Sequence, residues 1–99
     1  MSVLIVLKVP GDTAKFRAAL VERGDEFAKI GEGARQVGAI HHRFGIGDGH
    51  VVVVDEWESP QQFEAFFSDP SLQAFIAEVG GQGEPEVLVA EAVSSSDQF

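Results

Sequence analysis

Two short runs hold the side chains best suited to chemistry. One is His41-His42-Arg43, the other Asp55-Glu56-Trp57, and Gly47-Asp48-Gly49 lies between them. The chain has no cysteine, which removes disulfides, thiolate metal sites and thiol catalysis together, and it has no tyrosine. What remains is an imidazole and a carboxylate. A carboxylate beside an imidazole orients the ring and favours its charged form, which suits a general base or acid. Whether these groups meet depends on the elements that carry them.

Asp48-Gly49 between two β-rich runs is a strong hairpin signal. With these as the two turn residues, Ile46 faces Val51, Phe44 faces Val53, His42 faces Asp55 and Ile40 faces Trp57. The other side of the hairpin pairs Arg43 with Val54 and His41 with Glu56. His41 and His42, adjacent on a strand, point to opposite faces and do not share a pocket or a metal. His42 with Asp55 is therefore the candidate catalytic pair, acting on the proton of a phenolic or quinol-type molecule. The competing reading is a cross-strand polar pair at the wet end of the sheet. Phe44, Trp57, Phe63 and Phe66 are the candidate pocket residues. Trp57 also reads as a core or interface anchor, and the helix phenylalanines also read as plain core. The glycine-rich turn opens a strand, not a helix, so it is no phosphate loop. Three histidines without a helical pair at ligand spacing predict no metal site.

The flanking segments complete the pattern. Val3–Val9 is an apolar strand ended by Pro10-Gly11, and Asp12 can cap a helix begun at Thr13. Helical spacing of Phe16, Leu20, Phe27 and Ile30 predicts a helix from Thr13 to about Gln36. Gly24 makes it either one helix with a weak point or two pieces, with Asp25 capping the second. Arg23-Gly24-Asp25 then reads as helix interior rather than an adhesion motif. Ser59, Pro60 and Gln62 start another helix with Phe63, Phe66 and Phe67 inward. Asp69-Pro70 breaks it, and Leu72–Val79 adds a further turn or two. Pro85–Val93 is the last strand.

The order β-α-β-β-α-β is the ferredoxin-like pattern of the α+β class, with strands one and three central and helices on one face of a four-stranded antiparallel sheet. Strands one, three and four are apolar on their other face as well. Leaving such side chains wet costs about 1.5–3 kcal/mol each. A homodimer packed sheet against sheet is expected, with His41, Arg43, Val52, Val54 and Glu56 at its seam. Arg43 alternatively binds a substrate anion.

Ninety-nine residues at 44% hydrophobic support one domain over residues 1–93, with 94–99 a frayed tail. A net charge of −9 disfavours nucleic acid and anionic membranes as partners. No signal peptide or bilayer-length apolar run is evident, so a cytoplasmic protein is expected.

On this order of elements, Val53-Val54-Asp55-Glu56-Trp57-Glu58-Ser59, followed by Phe63 and Ser68-Asp69-Pro70, resembles the antibiotic biosynthesis monooxygenase (ABM)-like domains of the dimeric α+β barrel superfamily. The resemblance spans the chain in element order and is confined in sequence to about residues 51–76. It implies the fold and a homodimer. Its members include cofactor-free quinone-forming monooxygenases, haem-degrading enzymes and proteins without known activity. The haem-degrading branch has a Trp in the second helix and a ligating His beyond it. Here Phe66 stands near the first position and Leu72–Gly80 holds no His, so haem degradation is not expected and no cofactor is implied. Trp57 matches the family's Trp at the end of the third strand. Cofactor-free oxygenation in the family uses an apolar pocket and a few polar groups, often tyrosine, which this chain lacks. The expectation is a small-molecule-binding or assembly module. The alternative is a cofactor-independent monooxygenase of an aromatic or quinol-type metabolite, with His42 as its proton-transfer residue.

Overall fold

The computed structural model describes residues 1–99. The elements run β1 (Val3–Pro10), α1 (Thr13–Glu22), α2 (Gly24–Gln36), β2 (Ala39–Ile46), β3 (His50–Trp57), α3 (Pro60–Phe67), α4 (Pro70–Glu78) and β4 (Glu86–Glu91). The four strands form one antiparallel sheet in the order β2-β3-β1-β4, so the two most apolar strands are central as expected. The helices cover one face. Alternation along β1 sends Val3, Ile5, Leu7 and Val9 under them and leaves Leu4 and Lys8 exposed. Trp57 and Ile5 are the largest side chains fully buried there.

The β2–β3 hairpin turns at Asp48-Gly49. Gly47 N–H donates to His50 O at 2.9 Å, and Gly49 takes a left-handed φ of 76°. The register Ile46–Val51, Phe44–Val53, His42–Asp55, Arg43–Val54 and His41–Glu56 is the one expected. The far end differs. A bulge between Ala39 and His41 brings Ala39, not Ile40, opposite Trp57. Ile40 is 44% exposed, because the extra residue removes it from the pleat.

Helical cover comes as four short helices, with Thr13–Gln36 in two pieces rather than one. Arg23 is the joint between α1 and α2: its N–H donates to Ala19 O at 2.7 Å, and its carbonyl accepts from Glu26 N at 3.0 Å. The second helix starts at Gly24 without any side-chain cap, so Asp25 lies inside the first turn and does not cap it. An acidic residue in that turn suits the helix dipole. Ser59 caps α3, accepting from Gln62 N at 3.2 Å, with Pro60 at the first turn. Asp69 caps α4, accepting from Ser71 N at 2.8 Å, so this helix begins at Pro70, two residues before the expected Leu72. β4 is shorter than Pro85–Val93, and all six of its residues are exposed.

The end of α4 is sewn to the β1–α1 loop by Asp12 N–H to Gly80 O at 3.0 Å and Gln82 N–H to Pro10 O at 2.8 Å. Glycine is required at this crossing. Gly80 has φ 118°, and a Cβ on it would stand 2.7 Å from Asp12 O. Gly80→Ala should therefore destabilise the fold by about 1–3 kcal/mol from backbone strain alone. Urea denaturation measures it, and an unchanged midpoint would contradict the crossing.

Candidate functional site

The hairpin register places His42 across from Asp55 on the helix-covered face. Asp55 is the one charged side chain in the buried set, at 7% exposure. A buried carboxylate needs partners. It has two: His42 Nδ1 at 2.7 Å from Oδ1, and Trp57 Nε1, which donates to Oδ2 at 3.0 Å. Indole is only a donor, so it fixes the carboxylate as acceptor on that side. An ionised carboxylate only accepts, so Nδ1 is the donor of this pair, and a neutral ring so bonded carries its lone pair on Nε2. The imidazole is 43% exposed, at the border between the interior and solvent.

Behind the pair lies a cavity of about 130 Å³ between sheet and helices. His42, Asp55, Phe44, Phe63 and Phe66 line it together with Phe16, Phe27 and Phe75. The rings meet edge to face, with Phe16–Phe44 centroids at 5.1 Å, Phe27–Phe75 at 5.0 Å and His42–Phe44 at 4.7 Å. Asp12 also borders the space, but its carboxylate caps α1 by accepting from Lys15 N at 3.0 Å. The helix phenylalanines are thus both core and wall. Trp57, expected as a wall residue, is not among the lining side chains. It stands behind the wall at 1% exposure, packed on Phe63 and Phe66 at 5.7 and 5.5 Å, and reaches the site only through Asp55.

Sequence reasoning did not place Arg23 here. Its guanidinium lies 4.7 Å over the Phe75 ring and pairs with Glu26 at 2.7 Å and Glu78 at 3.0 Å, tying the α1–α2 joint to α4. The bond to Glu26 raises Arg23 above its ordinary range against an opposing burial effect, and Glu78 adds to the rise. Glu26 is held below the usual carboxylate range by the bond from Arg23. No sequence spacing announces Glu78 as a partner, because the contact is made across two helices.

His41, Arg43, Val52, Val54 and Glu56 share the opposite face. Arg43 is exposed there, on the wrong side of the sheet to meet a molecule in the cavity. Glu56 accepts from Ser2 Oγ. No cluster of three or more His, Cys, Asp or Glu side chains converges as for a metal. No helix is long and apolar enough to cross a membrane.

No protein-family profile matches the chain, and no curated protein does. Solved structures do match. SnoaB of Streptomyces nogalater, a cofactor-independent oxygenase, aligns over 98% of each chain with a TM-score of 0.64 and 14% identity. The ActVA-Orf6 monooxygenase of Streptomyces coelicolor, solved with nanaomycin D, aligns over 99% of this chain and 93% of its own, with a TM-score of 0.67 and 21% identity. A protein solved as an antibiotic biosynthesis monooxygenase aligns over 93% and 99%, with a TM-score of 0.64 and 12% identity. The fold is that of the antibiotic biosynthesis monooxygenases. At these identities the likeness concerns the ABM-like backbone, and the site must be argued from its own residues.

The Trp57–Asp55 bond can be tested by itself. Trp57→Phe keeps most of the packing but takes a donor from a buried carboxylate, which should cost about 1–3 kcal/mol. In a double-mutant cycle with Asp55→Asn, a coupling of at least about 1 kcal/mol is expected from denaturation midpoints. Additive losses would show that the bond contributes nothing in solution.

Proposed function

We propose that this ABM-like chain is a homodimer that binds a small phenol- or quinol-type molecule between its sheet and helices, and that His42 moves the bound molecule's proton. One observation carries the reading: an apolar, ring-lined cavity bordered by the hydrogen-bonded His42–Asp55 pair. A hydroxylated ring held there has its faces against phenylalanine and its one polar group at His42 Nε2. Asp55 stabilises the imidazolium once the proton arrives. The resulting anion is electron-rich enough to react with dioxygen directly. One quinol and one O₂ then give one hydroxyquinone and one water, and no cofactor takes part. That SnoaB, a cofactor-independent oxygenase, and the ActVA-Orf6 monooxygenase share this fold lends support to this reaction class.

The second reading is binding without turnover. It is favoured by the cavity volume of about 130 Å³, which lies below the range of roughly 300–1,000 Å³ common for small-molecule sites.

The dimer reading rests on the outer sheet face. Leu4, Val54 and Leu88 are 43%, 48% and 65% exposed there, and Val6 and Val52 continue the patch. No element of residues 1–99 covers it. Arg43, His41 and Glu56 supply charge complementarity between two copies of that face.

Two measurements address these claims. Sedimentation at micromolar concentration should give twice the 10.6 kDa chain mass. Val54→Asp should shift the protein to single chains, whereas a wild-type monomer would end the dimer reading. Oxygen uptake with hydroquinone-type substrates should fall at least about 100-fold in His42→Ala. Equal turnover in that variant would remove His42 from the chemistry.

A further inference from the structure

The inward arc of α2 is Phe27, Ile30, Gly31 and Ala34, the i, i+3, i+4, i+7 spacing of a core-facing stripe, and all four line the cavity. One member of the stripe has no side chain. A mid-helix glycine is usually kept because something packs too close for a Cβ. At Gly31 nothing does: a Cβ added there would meet no other group within 4 Å, and the backbone is helical. Gly80 and Gly81 on the same cavity are different, since an added Cβ would stand 2.7 Å from Asp12 O and 2.6 Å from Ile76 Cγ2 respectively. The missing side chain at 31 is therefore space left to the cavity, not space needed by the protein.

Size follows from the same observation. An apolar cavity of about 150 Å³ takes up benzene. This one, at about 130 Å³, is on that scale, so three fused rings would have to extend out of its mouth. Resting on the function proposed above, we propose that Gly31 is the specificity-determining residue of the cavity and that the ligand is a single six-membered aromatic ring with one polar group directed to His42. A side chain at position 31 takes the place of the ring.

The experiment is an amide-resolved NMR titration of the full chain with phenol and with the three-ring anthrone, alongside thermal melts without ligand. Wild type should bind phenol saturably and leave anthrone unbound. Gly31→Leu should weaken phenol at least about ten-fold. Gly31→Ala, the milder change should Leu fail to fold, should weaken it less. The Ala variant should melt at or above the wild-type temperature, since alanine is the better helix former. Phenol binding unchanged in a folded Gly31→Leu, or in Gly31→Ala should Leu fail to fold, would overturn the role of Gly31, as would a Gly31→Ala that melts below wild type. Anthrone bound as well as phenol would overturn the size limit while leaving the cavity reading standing. Neither molecule binding would remove the cavity reading and this inference with it.

Discussion

A carboxylate buried to 7% exposure governs the arrangement around it. Asp55 lies in β3, a central strand, where an unpaired charge would cost several kcal/mol. Both its oxygens are occupied, by His42 from the next strand and by Trp57 two residues along its own. Each partner is therefore fixed by more than packing. The indole is held at the strand end where Phe63 and Phe66 can close on it, and the imidazole is held at the cavity edge by its bond to Asp55. These contacts require the hairpin register. Shifting β2 by one residue would put His42 on the outer face and leave Asp55 with the indole alone.

The two faces of the sheet solve different problems. Under the helices, side chains interdigitate until they reach the cavity, and the helix layer is closed by short caps and by the Gly80–Asp12 crossing. On the outer face, apolar side chains stand with Arg43, His41 and Glu56 among them, a mixture suited to a wet rim around a dry centre. β4 adds Leu88 to the outer face but is thinly covered on the other. Val87 and Val89, on the helix side, remain 50% and 46% exposed, with a groove between them and α3.

Period-two alternation and a turn dipeptide were enough to read the sheet, its order and most of the hairpin register from sequence, including the His42–Asp55 pairing. The bulge at Ile40 was not legible, because an unpaired residue in a β-rich run looks like any other until the partner strand is known. The helix joint was legible only in part. Gly24 marked the place, but a junction capped by backbone groups of Arg23 carries no side-chain signature, so Asp25 drew the assignment. Trp57 had two readings, pocket wall and core anchor, and the structure has the anchor: period two gives the face of a strand, not the depth of a ring in the layer. Gly31 reads in sequence only as a costly helix glycine, since a cavity is made by absent atoms.

The cavity itself argues for an occupant. Residual voids in protein cores cost about 24 cal/mol per Å³, so whatever part of this space stays dry lowers stability. A domain of this length has a total stability of roughly 5–15 kcal/mol. A fold maintained only to assemble would gain by closing that space, and one methyl at position 31 is sterically free to begin doing so. The space also borders the one buried charge, held with both oxygens satisfied and an imidazole nitrogen left free. Empty volume and a spare proton acceptor are each costly or idle in a scaffold. Side by side they are the two requirements for holding a hydroxylated ring and taking its proton.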